Sequence, residues 1–297
     1  MVPRAVLKSA VAVAILAACS DNSTGPTLTP SPPPPSHVYV ADFGTGAVLV
    51  FAAPLTDSSL PVDTIAIPGT PIGVAVDDSG NLAVSETPHW VLTFARPLSS
   101  ASVPLDSART DPYYGFMAFG PDKKLYLGPQ GPHVLVFTPP ITGASVPDTI
   151  KDSLHTSSGI AFDRTRRLYV SDPYAGGIHV YDPPYTGAPA FTIAAIGSID
   201  GIALDAAGRL FQSDYLHGKI FIFSPPLSAS SLPADSIVTG LNAPHGIAIG
   251  GDGRLYVANN GDTNVVVFNP PFSHSSSPAA VVYGGGGLGP YGIAVGR

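Results

Sequence analysis

From residue 37 onward, apolar and polar positions follow one another in a short, recurring phrase. The phrase "GIAIGGDGRLYVANNGDTNVVVFNPP", residues 246–271, is representative. Its opening "GIAI" is apolar and short enough for a buried strand, and "LYVA" and "VVVF" are alternating or β-branched. The "DGR" between the first two is hairpin chemistry. After the paired prolines comes a Ser-rich turn such as "PPLSASSLPAD", then a weaker apolar stretch: "DTIAI", "DTI" or "DSIVTG". That stretch is predicted to be a fourth, outer strand, where flanking prolines cost little because an edge strand has backbone donors that need no partner.

The phrase recurs with a nearly fixed period. Its copies begin at Gly73, Gly115, Gly159, Gly201 and Gly246, spaced 42, 44, 42 and 45 residues apart. A further start, "GIAVGR" at Gly292, comes 46 residues later, but the sequence ends before its second strand. The missing part stands at the other end: "HVYVADFGTGAVLVFAAP", residues 37–54, has the second and third strands and lacks the first. Each copy also places an aromatic residue three before a proline, from Phe51/Pro54 to Phe268/Pro271. A period of 40 to 50 residues with several strands per unit marks a radial array of sheets. The expected fold is therefore all-β: a six-bladed β-propeller of four-stranded blades, the ring closed by pairing the C-terminal strand with N-terminal ones. Such closure also removes the free edges an open array would leave.

Composition agrees with many short strands and tight turns. The 297 residues are 44% apolar, with 32 glycines and 33 prolines, and that apolar content is too high for a disordered chain. Charged residues make up only 12%, the formal net charge is −7, and Glu86 is the only glutamate. No basic stripe along the sequence suits a phosphate backbone, which argues against nucleic acid as a partner.

The first residues give an address. "MVPRAVLKSAVAVAILAACS" has Arg4 and Lys8 in a basic lead, an apolar stretch from Ala10 to Ala18, and small residues before Cys19, the layout of an export signal. The stretch is too short to span a membrane. "LAAC" at Leu16 to Cys19 resembles the bacterial lipobox, which implies cleavage before Cys19 and lipidation of that residue, the only cysteine in the sequence. An exported chain without another cysteine forms no internal disulfide, so packing and strand pairing must hold the fold. Removal of Arg4 and Lys8 would leave 12 basic residues against 21 acidic ones, a net charge of −9. Ser20 after the cysteine, in place of Asp, implies the outer membrane by the lipoprotein sorting pattern. Residues 1–18 are thus expected to be a signal peptide. Residues 19–36, with the proline run 32–35, are expected to be an extended Pro/Ser-rich linker, and 37–297 the propeller.

The repeated phrase "P.GIA.D..G.LYVAD......I.VF" resembles the NHL repeat over essentially all of residues 37–297. The resemblance implies the propeller fold but little function, since NHL-type propellers include amidating lyases, relatives of calcium-dependent lactonases and non-catalytic binding scaffolds. Within a blade, the loop entering the innermost strand and the turn joining the second and third strands should open on one face. The residue before each glycine marks the first: Ile72, Tyr114, Ser158, Asp200, His245 and Tyr291. The residue 13 after the glycine marks the second: Glu86, Gly128, Asp172, Asp214 and Asn259, with Asp42 in the split copy. Acidic residues and Asn at the second place are explained as turn formers. The varied first set places Tyr114, Asp200, His245 and Tyr291 at the channel mouth, as a candidate ligand site.

No cofactor is expected, and a divalent metal ion is the one alternative, with Asp200 and His245 its only candidate ligands. The trio of channel histidines of the amidating lyases is not matched beyond His245. The Glu/Asn/Asp calcium set of the lactonase relatives is not matched at the entry positions. No nucleophile elbow or thiol nucleophile is present, the sole Cys being committed to lipid. The expected function is a lipid-anchored, monomeric, non-catalytic module that presents its loop face to a protein, peptide or glycan outside the inner membrane. The alternative is a metal-dependent lyase or lactonase-like hydrolase at the same mouth.

Overall fold

The computed structural model describes residues 36–110, 115–151, 154–174, 176–284 and 288–296. The expected signal peptide, Cys19 and residues 20–35 of the expected linker lie outside the described residues. Pro34–Arg297 clusters as one compact unit. Its described residues form six four-stranded antiparallel sheets, the blades of a six-bladed β-propeller.

Blade 1 is the split one. Its innermost strand, Pro290–Gly296, pairs with His37–Asp42, which in turn pairs with Ala47–Ala52 and then Asp63–Ala66. The ring is therefore closed across the two ends of the repeat region, with Val38 opposite Val295 and Val40 opposite Ile293. The innermost strands of blades 2 to 6 are Thr70–Val76, Phe116–Phe119, Ile160–Phe162, Ile199–Leu204 and Pro244–Ile249. The proline that follows each aromatic residue by three is cis in all six copies, from Pro54 to Pro271.

The second strands read as continuous apolar runs because each blade is covered on both faces. Leu255–Asn259, for example, is buried at every position. Six apolar clusters lie one between each pair of neighbouring blades; that between blades 6 and 1 joins Val38, Val40 and Phe51 to Tyr256, Val265 and Val267. Polar ties join the blades near the axis and at the rim. Near the axis, the hydroxyls of Ser85, Ser171 and Ser213 accept from the repeat glycine of their own blade and donate to the backbone carbonyls of Gly115, Asp200 and His245 in the next. At the rim, Asp63, Asp106 and Asp235, at the starts of outer strands, accept from the amides of Ser100, Gly143 and His274 in the next blade's turn.

The repeat glycine has a steric reason. A Cβ on Gly201 would lie 2.4 Å from the His245 carbonyl oxygen, and one on Gly246 would lie 2.6 Å from that of Tyr291. Blade 3 departs from the pattern. Phe116 pairs with Gly128 there, as Gly73 pairs with Ser85, so Phe116 occupies the glycine position and Gly115 the entry position. The constant interval of 13 residues thus misaligns blade 3 by one. Gly115 is the entry residue in place of Tyr114, and Pro129, rather than Gly128, is equivalent to the carboxylates and amides at the second-strand ends.

The hairpins between first and second strands contain one left-handed position each. Blades 2, 5 and 6 fill it with Gly80, Gly208 and Gly253, whereas blades 3 and 4 carry Lys123 (φ 65°) and Arg166 (φ 71°). A side chain in that conformation costs about 1–2 kcal/mol.

Candidate functional site

The entry residues of the innermost strands sit at β-bulges. Register shifts interrupt the pairing between Pro71 and Gly73, Ile199 and Ile202, and Pro244 and Ile247, and at the end of the pairing in blade 1. In these blades Ile72, Asp200, His245 and Tyr291 fall within the irregular step. A bulge bends the strand and re-aims a side chain, which is how a repeated scaffold can present different groups at one opening.

The second-strand ends hold the entry loops in place. Asp172 accepts from the amides of His155 (2.6 Å) and Thr156 (3.2 Å), Asp214 from Ser198 (3.0 Å), and Asp42 from Gly289 (2.5 Å) and Gly44 (3.0 Å). Asn259 accepts from Asn242 (2.6 Å) and Glu86 from Gly69 (2.5 Å). Each clasps a loop 15 or more residues away, so these residues are more than local turn formers. Burial pushes the Glu86 carboxyl above the ordinary carboxylate range, and the Gly69 amide partly opposes that.

Asp200 and His245 meet directly. The Asp200 carboxylate takes the Ser158 hydroxyl at 2.6 Å on one oxygen and His245 Nδ1 at 2.5 Å on the other. A carboxylate only accepts, so Nδ1 carries the proton and Nε2 is left as the ring's free position. The imidazole is packed between two tyrosines: it stacks on Tyr291 at 4.3 Å and on Tyr215 at 5.5 Å between ring centroids. Tyr291 stacks in turn on Phe116 at 5.6 Å. Side chains from blades 5, 6, 1 and 3 thus form one continuous aromatic row across the mouth.

Beneath this row the innermost strands approach one another around the axis. Val74, Phe116, Ile160, Ile202, Ile247 and Ile293 line a cavity of about 40 Å³, room for little more than a water molecule. On the same face, Phe43, Tyr174, Leu216 and Tyr283 stand exposed in loops and turns, each more than half accessible.

Of the four mouth residues expected from sequence, the structure brings Asp200, His245 and Tyr291 together; Tyr114 lies outside the described residues. Sequence reasoning missed Ser158 as the second partner of Asp200, and it missed Tyr215 and Phe116 in the row. The alignment of "LYLG" with "LYVS" would have placed Phe116 at a glycine position. Among the described residues, no group of three or more His, Cys, Asp or Glu is arranged to hold a metal ion. Asp200 and His245 are bonded to each other.

No family model matches the chain, and no curated protein matches it. Solved structures of propeller type do. A chain of the nidogen/laminin complex is 17% identical with a TM-score of 0.68, covering 88% of this chain and 98% of that one. A protein of unknown function from Bacteroides caccae is 10% identical with a TM-score of 0.66, over 89% of this chain and 99% of that one. Virginiamycin B lyase from Staphylococcus aureus is 12% identical with a TM-score of 0.57, over 82% and 80%. At these identities the likeness is one of fold.

Proposed function

We propose that this chain is an exported, lipid-anchored propeller of the NHL type that serves as a non-catalytic binding module. Its entry face takes a protein, peptide or glycan. The observation that carries this reading is the aromatic row across the mouth, with only a small cavity described beneath it. A small-molecule site is usually a cavity of about 300–1,000 Å³, whereas here the row Tyr215–His245–Tyr291–Phe116 closes over about 40 Å³. With Phe43, Tyr174, Leu216 and Tyr283 exposed around it, the row forms a broad, shallow surface of the kind that recognises a macromolecular ligand. His245 Nε2, with its ring fixed by Asp200, supplies a hydrogen-bonding group at the centre of that surface.

Lipidation of Cys19 would tether the domain to the outer membrane through the linker 19–36. The test is binding of the purified protein to peptide and glycan arrays, repeated with His245→Ala and Tyr291→Ala. A set of ligands retained by the parent and lost by both variants supports the reading. Equal retention by folded variants overturns it.

A further inference from the structure

The face opposite the mouth carries a second, chemically different feature. Blades 3 and 4 are separated there by a groove of about 660 Å³, lined by Tyr126, Val136, Ile150 and Tyr185 together with Lys124 and Arg166. That volume lies within the range of small-molecule sites. The hairpins that flank the groove, residues 121–124 and 163–167, hold Lys123, Lys124, Arg164, Arg166 and Arg167, five of the chain's 14 basic residues in an otherwise acidic protein.

Two further observations single out this groove. Both flanking hairpins place a basic residue, Lys123 or Arg166, at the left-handed position that the hairpins of blades 2, 5 and 6 give to glycine. Backbone strain of this kind clusters at functional sites because the surrounding structure must hold it in place. Tyr185, across the groove, is also left-handed (φ 64°), and its hydroxyl donates to the Arg166 carbonyl. Of the nearby acids, Asp122 itself lines the groove, and Asp163 in the second hairpin accepts from the amides of Thr165 and Arg167. Asp122 accepts from the Tyr126 hydroxyl and the Lys124 amide, and Asp182 pairs with Arg167 at 2.7 Å. Lys124 and Arg166 are in no ion pair with a described residue.

We propose that this groove binds a small soluble anion, a phosphate, sulfate or carboxylate group held by Lys124 and Arg166 and attached to an apolar or aromatic body that lies against Tyr126, Val136, Ile150 and Tyr185. Arg supplies a planar fork suited to such groups, and two cations at one end of an apolar trough orient the ligand. Asp148, at the start of the outermost strand of blade 3, and Asp122 also line the groove, so its two cations face two carboxylates, which disfavours any second negative charge on the body.

Phenyl phosphate is the probe, titrated into the purified protein by calorimetry, with phenol and inorganic phosphate as comparisons. Saturable binding of phenyl phosphate that weakens with added salt, with phenol not bound, is expected. Loss of one charge-assisted contact should weaken it about tenfold in Arg166→Gly and in Lys124→Gln. Arg166→Gly separates binding from folding, because it restores the residue type other blades use: its melting temperature should equal or exceed the parent's while binding falls. Absence of saturable phenyl phosphate binding by the parent overturns the proposal, as does parental affinity in both variants. Retention on phosphatidylglycerol vesicles without binding of phenyl phosphate also overturns it, since the anion would then be a headgroup in a bilayer.

Discussion

Gly201→Ala tests the link between the repeat, the packing of blades and the mouth. The added Cβ would lie 2.4 Å from the His245 carbonyl oxygen, 3.1 Å from the Gly246 Cα and 3.1 Å from the Ile247 amide nitrogen, all backbone atoms of the next blade. Ordinary contact requires about 1 Å more to the oxygen, so the two innermost strands must separate. Such overpacking costs about 1–3 kcal/mol. The same movement pulls the His245 carbonyl from the Ser213 hydroxyl, now 2.8 Å away, and leaving a buried partner unpaired adds about 1–3 kcal/mol. A loss of about 2–6 kcal/mol is a large share of a typical domain's stability. Gly251→Ala is the control: its Cβ meets nothing within 4 Å and its φ is not positive. Urea unfolding of both variants, followed by tryptophan and tyrosine fluorescence, gives the comparison. Gly251→Ala should stay within about 0.5 kcal/mol of the parent. A Gly201→Ala midpoint equal to that of Gly251→Ala would refute the close approach of blades 5 and 6.

Three further outcomes are expected. Cys19→Ala should abolish lipid labelling and move the protein from the membrane fraction to the soluble one, measured by fractionation after a high-salt wash. Deletion of 290–297 removes the innermost strand of blade 1, with Ile293 and Val295, and exposes the edge of His37–Asp42. Losing Ile293 alone is worth about 2–5 kcal/mol, so the truncated protein should unfold or aggregate, and a parental melting curve would contradict shared closure. Because burial raises the Glu86 carboxyl in the folded state, that group favours folding more in acid: its unfavourable contribution is complete above the folded value and fades as pH falls through it toward the ordinary carboxylate range. Glu86→Gln, which keeps an oxygen for the Gly69 amide, should therefore equal or exceed the parent at pH 7, with the difference shrinking as pH falls.

The six blades and the split first blade were legible because every copy repeats the same apolar runs, and the runs are continuous because both faces of each sheet are covered. The identity of the mouth was legible only in part. A one-dimensional repeat aligned on glycine cannot show that blade 3 has moved its glycine one residue forward, since the spacing from Gly115 to Gly128 equals that from Gly159 to Asp172. Pairing of Phe116 with Gly128 reveals it. Nor does sequence show that Asp200 and His245, 45 residues apart, bond to each other, or that Phe116 and Tyr291 meet from blades that are not neighbours. The basic hairpins "PDKK" and "RTRR" are 43 residues apart in sequence, and only the ring brings them to one groove.

The most direct test of the binding reading is a paired measurement on one preparation made without added metal: metal content by mass spectrometry, and array binding of the parent against His245→Ala and Tyr291→Ala. The account predicts substoichiometric metal, and a peptide, protein or glycan ligand bound by the parent and lost by both folded variants. One tightly held divalent ion per chain, released by Asp200→Ala or His245→Ala, would contradict it.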